Sequence, residues 1–426
     1  MGGLKFTKLQ TPEGTHDYLP EEVEQYLHIE RTLRKIFKLW GYEEVRSPII
    51  EFVDTLSIGV GSDLIDSMFK FQDRDGKILA LRAEMTTPIA RIVTTKMESK
   101  PKPLRLFYIC NVFRYSRSYF ENLREFHQAG IELIGCSKLE ADGEVIALLL
   151  SAAEKIGLNN VRVDMGHAGL LREILNLMRL EEQEKEVFQK ILKSRNIAKI
   201  DKFAEDFGIS PQIKDLVLQL LNCKRLGDLQ SISSSSKLSG IKKFLKELIE
   251  LNDILRDYGV EENIFFDFSL TRKIEYYTGV VFEASIPNIG LPLGGGGRYD
   301  NLMEKFNGVR LPATGFAIEV EKCLWALKNQ NFKISKEDKP KILVKSKSRK
   351  AGVEALRVFR EAGVACFSNF DRQEKRAVFE YATQIGVNYV VFVGSSIKQP
   401  LEIYDVKQCS AQKLTLQSFI KSLEAS

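Results

Sequence analysis

Several stretches of this chain concentrate side chains that can do chemistry. Leu81-Arg82-Ala83-Glu84-Met85-Thr86-Thr87-Pro88 offers a carboxylate and hydroxyls. Phe113-Arg114-Tyr115-Ser116-Arg117 leads on to Arg124-Glu125-Phe126-His127-Gln128-Ala129-Gly130-Ile131-Glu132. Arg272-Lys273-Ile274-Glu275-Tyr276-Tyr277-Thr278-Gly279 brings a guanidinium and two phenols. Gly294-Gly295-Gly296-Gly297 runs into Arg298-Tyr299-Asp300, and Gly315 to Lys322 ends in Glu319-Val320-Glu321-Lys322. Carboxylates opposite ammonium groups, and guanidiniums opposite carboxylates, make charge-assisted bonds. Each stretch taken singly has a plainer reading. The glycine run lacks the Gly-Lys-Ser/Thr of a Walker loop, so alone it predicts a bulge or tight turn. Arg272 to Gly279 alone reads as an exposed strand end, and Glu84 and Glu132 alone as surface carboxylates.

These residues need elements to position them. Glu21 to Trp40 has helical spacing, with Leu27, Leu33, Ile36, Phe37 and Trp40 on one side, Pro20 before it and Gly41 after it. Tyr42 to Glu51 is strand-like but interrupted by Pro48. Ile78 to Leu81, Leu104 to Tyr115 and Glu125 to Ile134 are strand candidates, and Ala141 to Ile156 is a helix. That order predicts an α+β layout, an antiparallel sheet with helices on one side. Residues 166–262 are rich in Leu, Glu and Lys at helical spacing and read as a helical insertion, with Ser233-Ser234-Ser235-Ser236 a flexible break inside it. Strands return at Ile264 to Ser269, Val280 to Ser285 and Ala313 to Val320, and a helix begins at Glu321. The expected organisation is a core over residues 1–330, a polar linker over 328–340 and a small α/β domain over 341–426.

Composition narrows the class. A chain of 426 residues is too long for one core. Hydrophobic content of 44% and charged content of 28% are ordinary for a soluble globular protein. No stretch approaches the roughly 18–20 apolar residues of a membrane helix, and Met1 to Phe6 has no apolar signal core. Six cysteines without a C-x-x-C pair and four dispersed histidines argue against a zinc site or a disulfide framework, and suit a reducing cytoplasm. From Lys339 onward there are 15 Lys/Arg against 8 Asp/Glu, so the charge of +5 belongs to the C-terminal end. A solvated basic face is the commoner meaning of such a bias; nucleic-acid contact is the other.

In order along nearly the whole chain, these motifs resemble histidyl-tRNA synthetase, a class II synthetase. Arg46-Ser47-Pro48-Ile49-Ile50-Glu51 looks like the first class II motif, whose strand and preceding helix form a dimer interface in that family. Phe113-Arg114 through Glu132 looks like the second motif, and Gly315 to Lys322 sits at the third. The resemblance implies a class II aminoacyl-tRNA synthetase-like antiparallel sheet flanked by helices, followed by an anticodon-binding-like α/β domain. It assigns Glu84, Thr86 and Gln128 to the α-amino group of histidine and Arg272 to its carboxylate. Glu132, Tyr277 and Tyr299 wall the imidazole, with Tyr276 beside them. A site built to hydrogen-bond a polar group rejects ligands lacking it by ~10⁴-fold or more.

The nucleotide side departs from the family. Arg114 is kept, but Glu319 stands where the family has glycine and Lys322 where it has arginine. A glutamate adds bulk and negative charge, and lysine lacks the planar fork that grips phosphate bidentately. Ser116 to Asn122 replaces the Glu-Arg-Pro-Gln-x-Gly-Arg loop of the second motif. Met85-Thr86-Thr87-Pro88-Ile89-Ala90-Arg91 and Ala129 to Gly135 are similar instead to the regulatory subunit of ATP phosphoribosyltransferase, a paralogue of the synthetase; Ala83 fits neither.

This resemblance implies a subunit without catalytic residues, metal or cofactor, for which L-histidine is an allosteric ligand in histidine biosynthesis. Its partner would be a short-form catalytic ATP phosphoribosyltransferase subunit in a hetero-oligomer, and the chain itself a homodimer or higher. Neither tRNA nor a membrane is expected as a partner, and the location is cytoplasmic. The alternative is an active histidine–tRNA ligase, supported by Arg114, Arg272 and the basic C-terminal domain. A third reading is a paralogue that only binds RNA or acts as a scaffold.

Overall fold

The computed structural model describes residues 9–115, 123–270, 276–287, 292–332, 340–370 and 374–424. The chain divides into two units, Met1–Ile334 and Ser335–Ser426.

The first unit is built on an eight-stranded sheet. Its order is Glu43–Glu44, Leu104–Phe113, Glu125–Ile134, Ala313–Glu319, Pro292–Arg298, Val280–Ser285, Arg162–His167 and Ile264–Phe266. All pairings are antiparallel except the outermost pair at each edge. Alternation gives the sheet two faces. Phe107, Ala129, Ile131, Leu133, Phe316 and Ile318 join the buried core with residues of the helices Pro20–Leu39, Leu139–Lys155 and Val320–Asn329. Tyr108, Gln128, Glu132, Gly315, Ala317 and Glu319 line a cleft on the other face. The first helix starts as its sequence requires. Pro20 opens it, Glu22 reaches back to accept the Leu19 N–H at 3.2 Å, and Gly41 follows at φ +82°.

Strands Ile78–Leu81 and Glu125–Ile134 fall where the sequence puts them. Tyr42 to Glu51 does not form one strand. Glu43–Glu44 joins the large sheet, and Ile50–Phe52 joins a separate three-stranded sheet with Ile78–Leu81 and Lys70–Gln72. Between them the chain passes over the buried Arg82, whose guanidinium donates to Ser47 O at 2.8 Å and Asn111 O at 2.8 Å. A chain held by a side chain needs no ladder partner.

The glycine run is also corrected. Gly294 to Gly297 form part of a central strand, with the irregularity confined to the Pro292/Gly294 step. Neighbouring backbone lies so close that a Cβ on Gly296 would fall 1.8 Å from Gly315 O. Close approach, not a turn, demands glycine there.

The helical insertion begins at Ala168, since Gly166 and His167 complete a strand. It comprises Ala168–Leu177, Glu182–Ser194, Ile197–Asp206, Pro211–Asn222, Leu226–Ser235 and Ser239–Asp257. The serine run breaks the helices only at Ser236, where the extended link to Ser239 begins. Ser233 to Ser235 end a helix, Ser233 is buried, and the Ser235 hydroxyl bonds back to Ser231 O at 2.9 Å.

The second unit is a five-stranded sheet in the order Ala365–Ser368, Lys341–Ser346, Tyr389–Val393, Leu401–Asp405, Ser410–Leu414. The first three strands are parallel, as the strand–helix alternation requires, and the last two add antiparallel pairs. Helices Arg349–Glu361 and Lys375–Gln384 contribute to separate apolar clusters on this sheet.

Candidate functional site

The open face of the large sheet carries a cleft of about 1060 Å³. Strand register explains which side chains reach it. Cys110 and Glu319 flank Gln128 on adjacent strands, Tyr108 faces Gly130, and Gly315 faces Glu132. Glu84, Thr86, Tyr276, Tyr277 and Tyr299 enter from segments outside this register and line the same cleft. Arg114, Glu319 and Lys322 line it too. Arg272 and the second-motif loop Ser116 to Asn122 lie outside the described residues.

Glu84 sits between the strand Ile78–Leu81 and the helix Thr86–Lys96. Its carboxylate accepts the Thr86 N–H at 2.6 Å and the Thr87 N–H at 2.8 Å. A helix start leaves such amides unpaired and favours an anion there. Glu132 projects from the sheet with both oxygens engaged. Thr86 Oγ1 donates to Oε1 at 2.8 Å, and the Tyr299 hydroxyl donates to Oε2. Both carboxylates are buried, at 6% and 2% exposure, so neither is the surface group that its sequence position alone suggests. Among the described residues neither has an ion-pair partner.

Burial sets the electrostatics. Desolvation raises the Glu84 carboxyl against the pull of the Thr87 and Thr86 hydrogen bonds. It pushes Glu132 up to about 8; Tyr299 and Thr86 oppose the rise, and the nearby Glu84 adds to it. Tyr108, Tyr276 and Tyr299 are held well above the usual phenol range by the same burial, so they remain neutral. The Tyr276 ring lies 5.4 Å from Tyr299 and 5.1 Å from Tyr277, centroid to centroid. Gln128 Oε1 is buried and finds no hydrogen-bond partner among the described residues. An unpartnered acceptor in the same cleft as two carboxylates that lack ion-pair partners among the described residues suits a ligand that brings donors and positive charge.

Across the strand from Gln128, one carboxylate meets two cations, leaving a single net positive charge. Glu319 Oε1 takes Arg114 Nη2 at 3.2 Å, and Oε2 takes Lys322 Nζ at 3.0 Å. All three side chains are largely buried. The Arg114 guanidinium also lies over the Phe126 ring, 4.7 Å from its centroid. One carboxylate thus occupies two cations at once.

Sequence reasoning missed three arrangements around the site. Arg298 spends its guanidinium on Asp142 (2.9 and 2.6 Å), Cys136 O (2.9 Å), Lys138 O (3.0 Å) and Asp300 (3.2 Å). Its carbonyl accepts the Thr278 N–H at 2.8 Å, which ties the segment after Tyr277 to Tyr299. On the helical side of the sheet, His127 gives its N–H to Glu321 at 2.8 Å and sets Nδ1 3.0 Å from the same oxygen. Strand alternation, which turns His127 and Gln128 to opposite faces, was the signal for that pair. Lys193, from the helical insertion, also lines the cleft, and nothing in its local sequence marks it.

Residues 14–323 match the family described as histidyl-tRNA synthetase. An ATP phosphoribosyltransferase regulatory subunit from Clostridium botulinum is 32% identical over 400 residues, covering 93% of this chain and 94% of that protein. A histidine–tRNA ligase from Thermococcus kodakarensis is 34% identical over 405 residues, covering 91% of each. A crystal structure from Bacillus halodurans, described as an ATP phosphoribosyltransferase regulatory subunit/histidyl-tRNA synthetase, superposes with a TM-score of 0.77 at 30% identity. It covers 91% of this chain and 98% of that one.

Proposed function

Because the chain belongs to the histidyl-tRNA synthetase family and has its class II fold, we propose that it is a non-catalytic regulatory subunit of ATP phosphoribosyltransferase. It binds L-histidine and makes the first step of histidine biosynthesis answer to it. The observation that carries this reading over aminoacylation is Glu319, paired at once with Arg114 and Lys322. Activating an amino acid requires cations that neutralise a triphosphate. Here one carboxylate already holds both cations and halves their net charge, and an approaching phosphate meets that carboxylate. At 4 Å two like charges near a protein surface repel by ~4 kcal/mol.

The amino-acid end of the cleft keeps its residues. Glu84 and Gln128 suit an α-ammonium group, and Glu132 with Tyr299 suits a ring that donates from nitrogen; Tyr276 and Tyr277 wall it. Arg272 is assigned to the carboxylate on the resemblance alone. No cofactor or metal is required. The name of the regulatory relatives implies a catalytic ATP phosphoribosyltransferase subunit as partner; the short form of that subunit suits this reading. Self-association uses the three-stranded sheet, whose Ile50, Phe52 and Phe71 are exposed on one face. Among the described residues no helix is long and apolar enough to cross a membrane.

Histidine-dependent exchange of pyrophosphate into ATP tests the reading. No exchange is expected, together with calorimetric binding of histidine. Robust exchange would make the chain a histidine–tRNA ligase, the reading that the ligase relatives favour.

A further inference from the structure

The inner cleft presents acceptors: Glu84, Glu132 and the unpartnered Gln128 Oε1. A zwitterionic ligand must therefore enter with its donor groups first and leave its carboxylate toward the rim. Three described cations line the cleft, Arg114, Lys193 and Lys322. Glu319 holds two of them. Lys193 is exposed and has no ion-pair partner among the described residues.

Lys193 belongs to a different part of the molecule. It stands in the last turn of the Glu182–Ser194 helix of the insertion. The helix ends at Arg195 in the left-handed region, φ +52°, and that turn fastens its end to the rim of the cleft. Arg195 pairs with Asp267 and donates Nε to Ser269 Oγ at 3.0 Å. Ser269 and the following Leu270 both line the cleft. Leu270 also walls a small apolar cavity, about 20 Å³, among Phe188, Leu192 and Val217 of the insertion. The insertion is thus pinned beside the cleft, has slack behind the pin, and carries a cation that no described carboxylate pairs with.

We infer that Lys193 is a specificity-determining residue that meets the carboxylate of the bound amino acid, so that the ligand bridges the sheet and the helical insertion. This rests on the proposed histidine binding and adds a contact from an element that the family resemblance does not assign. Among the described residues, binding at Lys193 breaks no existing ion pair, so the attraction is not offset by one of them. An exposed lysine–carboxylate contact is modest, worth about fivefold in affinity at low salt.

Calorimetric titration of the full chain with L-histidine and with L-histidinol tests it. Histidinol keeps the ring and the amine and replaces the carboxylate by a hydroxymethyl group. Lys193→Gln is expected to weaken histidine about fivefold and leave histidinol unchanged, while Lys193→Arg recovers most of the loss. Raising the salt to about 0.5 M should shrink the difference, because an exposed contact is screened. An equal loss for both ligands would make Lys193 structural and overturn the inference, as would no loss for either. If the unsubstituted chain binds neither ligand, the proposed function fails first, and the inference falls with it.

Discussion

Gly315 stands directly opposite Glu132 on the neighbouring strand, and a Cβ there would lie 2.1 Å from Glu132 Oε2 and 2.3 Å from Ile131 O. The carboxylate occupies the space that any other residue at 315 would fill. Gly315→Ala should therefore displace Glu132 from Tyr299 and leave buried polar groups unpaired, at about 1–3 kcal/mol. Histidine affinity measured by calorimetry should fall roughly 10- to 100-fold. Unchanged affinity would place the ligand elsewhere.

Glu132 gives a pH signature. Its carboxyl is raised to about 8 in the folded chain, above the ordinary value of 4.5 that the unfolded chain retains. The stability linked to this group is present in full below 4.5 and is lost as pH rises through 8. Glu132→Gln removes the titration and should make ligand-free stability flatter between pH 5 and pH 9. At ~1.4 kcal/mol per pKa unit, the difference between the two proteins changes by a few kcal/mol over that range. Scanning calorimetry across the range checks it. A constant difference in Tm would show that Glu132 is ionised throughout.

The pairing of Glu319 with both cations predicts a gain from its removal. Glu319→Gly frees Arg114 and Lys322 and opens the strand end. Binding of ATP, followed by equilibrium dialysis, should strengthen by roughly tenfold or more, since removing one nearby like charge is worth at least ~1.4 kcal/mol at effective dielectric constants near 20. Histidine affinity should change little.

Asp142 is fully buried against Arg298. Burial raises its carboxyl, and the Arg298 charge and hydrogen bonds counter the rise. Asp142→Ala strands a guanidinium in the interior and should cost about 3–5 kcal/mol in urea unfolding. A cost below about 1 kcal/mol would mean that water reaches Arg298.

The exposed sheet face tests self-association. Phe52→Glu puts a charge beside Ile50 and Phe71, which share its sheet face, and should shift the sedimentation of the chain from dimer to monomer at micromolar concentration. A dimer that persists would have to use another surface.

What the sequence conveyed, and what it did not, follows the range of the interactions involved. Glu125–Ile134 and Ile78–Leu81 were legible because alternation and apolar runs are local. Tyr42 to Glu51 was misread because Pro48 and the buried Arg82 hand that segment from one sheet to another, and Arg82 lies 35 residues from Ser47. Ser233 to Ser235 were misread because serine's local propensity gives way to helix packing in the insertion. The glycine run was misread because its reason, the backbone of Gly315 and Phe316, lies on another strand. Glu319 and Lys322 were recognisable as departures at the nucleotide side, but the pairing of Glu319 with Arg114 spans 205 residues and belongs to the fold. Lys193 had no signal, because a lysine in a helix's last turn is commonplace.

Glu84 has two tasks. It satisfies the first amides of the Thr86–Lys96 helix and it lines the cleft. The edge held by Glu319 is under no such obligation. The two ends of the cleft therefore differ in how freely they can drift. On the proposed function, a lineage would lose or regain nucleotide handling through one or two replacements at the Glu319 end and still fold. Losing the amino-acid end through Glu84 also unmakes a helix start, so alleles there would surface in a genetic screen as folding defects before they were noticed as deaf to histidine.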